Sequence, residues 1–126
     1  MKKEIYSINA PKPIGPYSQC IKYEKMIFIS GQIAINPKTN EIITNNIENE
    51  TKIVMENIKN ILKECNCTCE NIVKCSIFLS DMGLFQTVNE IYSQYFSKPF
   101  PARETIEVSK LPKNVNLEIS AIAICK

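Results

Sequence analysis

The sequence predicts an α+β domain, a β-sheet with both helices on one face, and three observations carry that prediction. Six short segments have strand-like composition or alternation, two longer segments repeat apolar residues at steps of three and four, and the order is β-β-β-α-β-α-β-β. With 126 residues, 44% hydrophobic and 22% charged, the chain can bury one core but not two. Residues 1–126 are therefore expected to form a single domain.

Lys3–Ile8 reads as the first strand. Ala10–Pro16 holds three prolines, which fix φ and remove donors, so a rigid non-helical loop follows. Gln19–Tyr23 and Met26–Ser30 read as strands joined tightly at Glu24-Lys25. Gly31 directly after Ser30 suggests a bulge or a close backbone approach, and Asn36–Asn40 is a turn. The clearest helix is Asn49–Glu64: Val54, Met55, Ile58, Ile61, Leu62 and Cys65 make one face, with Asn49 as N-cap and Asn66 as the stop. Ile72–Leu79 is a strand with Val73, Cys75, Ile77 and Leu79 on one face. Asp81 caps a second helix whose buried stripe is Leu84, Phe85, Val88, Ile91, Tyr92 and Tyr95, ended by Pro99 and Pro101. Two strands close the chain, Ala102–Val108 and Val115–Ile124, around a turn at Leu111–Asn114. One layer of helices leaves the other sheet face bare, which points to oligomerisation.

Composition limits the chemistry. The chain has no histidine, so there is no Ser-His-Asp or Cys-His pair and no His-ligated metal. The net charge of +2 gives no strong case for nucleic acid or an anionic membrane as partner. Neither an apolar leader nor a spanning segment is visible, so a cytoplasmic protein is expected. Six cysteines include the run Cys65-Asn66-Cys67-Thr68-Cys69, which lacks the second half of a zinc site. Free thiols after a helix are the expected reading, with no metal. Of the 15 basic residues only Arg103 is arginine, a candidate for a place that needs a two-pronged planar donor.

The last two strands offer a site if they pair as a hairpin, with Lys110 opposite Val115. Arg103, Thr105 and Glu107 then share a polar face with Glu118, Ser120 and Ile122, opposite an apolar face. In that register Arg103 and Glu118 could hold a small acid between them, the arginine binding a carboxylate and the glutamate deprotonating water. An ordinary exposed salt-bridge face is the other reading of the same pattern.

At these residues the sequence resembles the Rid proteins, reactive intermediate deaminases of the RidA (YjgF) type, along almost its whole length. The matching stretches are Pro13-Ile14-Gly15-Pro16-Tyr17-Ser18-Gln19, Ile29-Ser30-Gly31-Gln32-Ile33, Asn36-Pro37-Lys38-Thr39 and Thr87-Val88-Asn89. They continue with Phe100-Pro101-Ala102-Arg103, Leu111-Pro112-Lys113 and Leu117-Glu118-Ile119. The resemblance implies a chorismate-mutase-like α+β fold, a mixed β-sheet with two helices on one face, and a homotrimer with active sites between subunits. It implies hydrolysis of small 2-imino acids, such as 2-iminobutanoate and 2-iminopropanoate, to 2-oxo acids and ammonia, with no cofactor. Arg103 would clamp the substrate carboxylate and Glu118 would position the attacking water. Tyr17, Ser30, Gly31, Asn89 and Thr105 would line the pocket. Many bacterial members have cysteine where Thr105 stands, and the common Glu-Ile-Glu-Ala reads Glu118-Ile119-Ser120-Ala121 here. The loop before Phe100 is also shorter than in many members. Substrate preference and rate therefore stay open. Relatives have also been called endoribonucleases and translation inhibitors, but a chain without histidine or an aromatic–basic RNA motif argues against RNA as partner. A ligand-binding or chaperone-like trimer without turnover is the third reading.

Overall fold

In the computed structural model, which describes all 126 residues, six strands form one mixed sheet in the order β1-β2-β3-β6-β4-β5. β1 (Lys3–Ile5), β2 (Cys20–Tyr23) and β3 (Met26–Gln32) form an antiparallel meander. β3 pairs antiparallel with β6 (Leu117–Ile124), and β6 pairs antiparallel with β4 (Ile72–Leu79). The edge strand β5 (Ala102–Glu107) runs parallel to β4. Helices α1 (Ile47–Lys63) and α2 (Phe85–Ser93) pack on one face and against each other. The mixed sheet with two helices is the architecture expected.

α1 follows from its periodicity. Val54, Met55, Ile58, Ile61 and Leu62 are all 0% exposed, and each such burial is worth about 1.5–3 kcal/mol. Packing, more than intrinsic propensity, therefore anchors the helix. Its N-cap is Asn46, three residues before the expected Asn49. Asn46 is extended, and its side chain accepts the Asn49 N–H at 2.8 Å. Asn49 is thus the residue being capped. The helix ends at Lys63, and the chain turns away at Asn66, the expected stop, which adopts the left-handed region at φ 56°.

Other boundaries shift for identifiable reasons. β1 ends at Ile5, short of the expected Ile8, because the chain turns at Ser7, where the side-chain oxygen of Gln19 accepts the Ser7 N–H at 2.7 Å. β4 has the predicted limits, but Val73 is exposed and Ile72 is buried. A bulge between Ile72 and Lys74 shifts the pairing with β6, so Val73 leaves the core face. Asp81 caps a short 3-10 turn, Met82–Leu84, that leads into α2, which ends at Ser93, before Tyr95.

One expectation is overturned. β5 and β6 are not a hairpin, because β4 lies between them. The connection β4–α2–β5 is a β-α-β unit, which places the two strands parallel and adjacent. The turn expected at Leu111–Asn114 is a 3-10 turn over Pro112–Asn114 that carries the chain past the end of β4, where Ser80 N–H donates to the Asn116 carbonyl. The predicted register, with Lys110 opposite Val115, therefore does not exist.

Candidate functional site

Glu118 sits on the central strand β6 between Leu117 and Ile119, both 0% exposed, so its side chain points to the face that carries no helices. There it is half-buried, opposite Phe78 of β4. Across the other neighbour it lies over Gly31: a Cβ at that glycine would come within 2.7 Å of the Glu118 Cδ. The glycine leaves room for the carboxylate by close approach, as its place after Ser30 suggested. Burial raises the Glu118 carboxyl above its ordinary value, and no cation lies within 4.0 Å to oppose that shift.

The loop before β2 is pinned beside this carboxylate. Ser30 Oγ donates to the Ser18 carbonyl at 2.6 Å, and Ser30 N–H donates to the Gln19 carbonyl at 2.9 Å. Tyr17 follows directly, its hydroxyl accepting the Ile14 N–H at 3.2 Å. The buried Gln19 amide holds the loop's base, with its NH2 group reaching the carbonyls of Ser7, Ala10 and Pro11 at 3.0, 3.2 and 2.8 Å. Ser30, Gly31 and Glu118 thus lie together, with Tyr17 in the loop that Ser30 pins.

Arg103 belongs to a second group. β4 and β5 pair Cys75 with Arg103 and Ile77 with Thr105, so Arg103 and Thr105 point to the helix-covered face. The guanidinium carbon lies 5.0 Å from the Tyr92 ring centre and 5.7 Å from that of Phe85, both residues of α2. The single ion pair of the molecule joins Lys74 to Glu104 at 3.2 Å, leaving Arg103 without a carboxylate. A cleft of about 300 Å³ opens beside it, lined by Asn89, Tyr92, Ser93, Phe100, Pro101 and Arg103. The Thr105 hydroxyl and the Tyr92 hydroxyl are buried without hydrogen-bond partners.

The structure therefore gathers the expected residues into two groups on opposite faces of one sheet: Ser30, Gly31 and Glu118 on one, with Tyr17 in the loop that Ser30 pins, and Arg103 and Thr105 on the other, with Asn89 on α2 across the cleft. The expectation that Arg103 and Thr105 share a face with Glu118 is corrected by the intervening strand. The expectation that the opposite face of β5 is apolar core is corrected too, since its residues Ala102 and Ile106 are exposed. Sequence reasoning missed the aromatic clasp of Phe85 and Tyr92, reading both as core. Their seven-residue spacing on one helix face was the available signal. All six cysteines are free and buried, and no group of three or more Cys, Asp or Glu side chains is placed to hold a metal ion. No helix is long and apolar enough to cross a membrane.

Comparison with known proteins identifies the family. The model of the family described as Endoribonuclease L-PSP matches residues 7–125. A RutC family protein of Pyrococcus horikoshii is 50% identical over 123 residues, covering 98% of each chain. The human 2-iminobutanoate/2-iminopropanoate deaminase is 41% identical over 124 residues, 98% of this chain and 90% of the human one. Among solved structures, E. coli TdcF with bound serine superposes with a TM-score of 0.94 at 37% identity, covering 98% of this chain and 99% of that one. With the L-PSP match spanning nearly all of the sequence and the fold shared end to end with these relatives, the chain belongs to the Rid family.

Proposed function

We propose that the protein hydrolyses small 2-imino acids, such as 2-iminobutanoate and 2-iminopropanoate, to 2-oxo acids and ammonia, using no cofactor. The observation that carries this reading is a pair of unneutralised charges, Arg103 clasped only by rings and Glu118 half-buried without a cation. Arginine offers two parallel N–H donors to a carboxylate, and every 2-imino acid carries one. The neighbouring C=N carbon is electrophilic once its nitrogen is protonated, so the reaction needs placement and one activated water. Glu118 suits that second task, because burial makes its carboxylate a stronger base than an exposed one. Water adds to the carbon, the tetrahedral adduct expels ammonia, and the 2-oxo acid remains. Tyr17, Ser30 and Gly31 line the side of Glu118, while Asn89 and Thr105 line that of Arg103.

Two groups on opposite faces of one sheet cannot enclose one small molecule within a chain. The complete site is formed between copies, as three equivalent clefts in a homotrimer. The exposed apolar side chains Phe28 and Ile106 on the helix-free face support that assembly. The names of the human deaminase and of the serine-bound TdcF support a small, amino-acid-like ligand. RNA cleavage, the activity in the family's description, usually draws on histidine as general acid and base, and this chain has none.

The test is to generate 2-iminobutanoate with a threonine dehydratase in the presence of semicarbazide. Adding the protein should divert imine from the semicarbazone and speed release of 2-oxobutanoate, and Arg103→Lys should do so poorly. Unchanged partitioning with the native protein would overturn the reading. Light scattering should return about three times the chain mass of 14.4 kDa.

A further inference from the structure

Outside the two groups just described, the densest chemistry in the molecule is sulfur. Cys67, just after α1, and Cys125, just after β6, are 58 positions apart in sequence, yet their Sγ atoms are 3.2 Å apart. Both backbones are fixed. Cys67 N–H donates to the Leu62 carbonyl at 3.0 Å, and Cys125 N–H donates to the Lys25 carbonyl at 2.7 Å. Asn71 ties the two segments together, donating to the Ile124 carbonyl at 3.0 Å. The sulfurs are therefore held near each other by the fold.

They are also reachable. Cys65, Cys67 and Cys125 line a cavity of about 370 Å³ together with Lys22, Asn66, Asn71 and Lys126. The competing sulfurs are less favoured. Cys20 is 0% exposed, and burial pushes its thiol up to about 12. Cys75 lies in the core beside Tyr92.

We propose that Cys67 and Cys125 are a latent disulfide, closed when hydrogen peroxide reaches this cavity. One thiolate attacks the peroxide: an S–O bond forms, the O–O bond breaks, and the leaving oxygen takes a proton to become water. The second thiol attacks the resulting sulfenic acid; the S–S bond forms and the S–O bond breaks as a second water leaves. Two thiols lose two electrons and one hydrogen peroxide gains them. Burial pushes the Cys67 thiol up to about 11, so the bond closes slowly at neutral pH, as suits a protective lock more than a rapid sensor. The cross-link joins the end of β6 to the α1–β4 connection and restricts the unfolded chain through a long loop. It lies at the opposite end of β6 from Glu118, about 20 Å away at ~3.3 Å per residue, so imine turnover is unaffected.

The test treats the native full-length protein with hydrogen peroxide, then unfolds it and alkylates the remaining thiols. Four of the six cysteines should be alkylated, with a mass loss of about 2 Da, a joined Cys67–Cys125 peptide, and a raised thermal midpoint that dithiothreitol reverses. Cys125→Ser and Cys67→Ala should each show neither the mass loss nor the rise in midpoint. Six alkylated cysteines, a link through Cys20 or Cys65, or stable sulfinic acid at Cys67 would each overturn the proposal. The peptide map of the native protein decides the matter even if a variant folds poorly.

Discussion

Glu118 stands on a strand paired along both sides, with β3 and β4 as neighbours, whereas Arg103 stands on the edge strand β5, paired along one side only. The carboxylate is placed by backbone: Glu118 pairs with Phe78 of β4, the ladder to β3 reaches the adjacent Ile119, and the missing side chain at Gly31 leaves the space the carboxylate fills. The guanidinium is placed by side chains, the rings of Phe85 and Tyr92, which belong to a helix of nine residues. The group asked to aim a water is built rigidly, and the group asked to grip a carboxylate is built where it can adjust. That difference predicts different kinetic signatures for the two halves.

Glu118→Gln should show the largest effect. Loss of a positioned general base costs about 10²–10⁴-fold in kcat, with KM little changed. The same variant tests the electrostatics. Burial raises the Glu118 pKa, so the folded state holds that proton more tightly than the unfolded state does. Ionising it therefore costs stability as pH rises past the ordinary glutamate value of about 4.3. Glu118→Gln should unfold at a higher temperature than the native protein at pH 7, and the advantage should vanish in acid, where both forms are neutral. A variant that is less stable at neutral pH would show that the carboxylate has a partner after all.

Gly31→Ala comes next. The atoms that an added Cβ would meet belong to the movable end of Glu118, so the chain should still fold, as circular dichroism would report. The carboxylate must swing away, however, and a misplacement of about 1 Å can cost roughly 10²-fold. Normal turnover in this variant would separate Glu118 from the reaction.

Arg103→Lys should be milder and different in kind. Exchanging a two-pronged clamp for a point charge removes one charged hydrogen bond, about 1.5–3 kcal/mol, and raises KM by roughly 10–100-fold with kcat within a few-fold. A fall in kcat without a change in KM would make Arg103 part of the chemical step and erase the proposed division of labour.

How much of this could be read in the sequence follows the same line between centre and edge. α1, β4 and β6 were legible because burial enforces their periods, as in the alternation of Leu117, Ile119, Ala121 and Ala123. Gly31 and Arg103 were legible as a close approach and as the one arginine. β5 was not. An edge strand has only part of one face covered, so Ile106 can be exposed and Arg103 can face the helices, reversing the apparent polarity. The turn at Leu111–Asn114 resembled a hairpin, yet Lys113 and Asn114 both adopt positive φ, at 58° and 56°, inside a 3-10 turn that serves a crossover. The intervening α2 was the better guide, because strands joined through a helix run parallel. Phe85 and Tyr92 were hidden for another reason: the stripe that packs a helix on its sheet is also the stripe that can hold a cation.

Thr105→Val should have the smallest effect and sharpens the boundary of the Arg103 half. The Thr105 hydroxyl is buried without a hydrogen-bond partner, and an unmet buried hydroxyl costs about 1–3 kcal/mol. Valine keeps the β-branched shape and removes that cost, so the variant should be slightly more stable than the native protein. If the hydroxyl meets the substrate once the cleft is filled, the gain in stability should come with a several-fold rise in KM. A gain without any change in KM would mean that substrate never reaches β5 beyond Arg103. The cleft would then end at the arginine and Tyr92, and the adjustable half of the site would consist of one side chain and the rings that hold it.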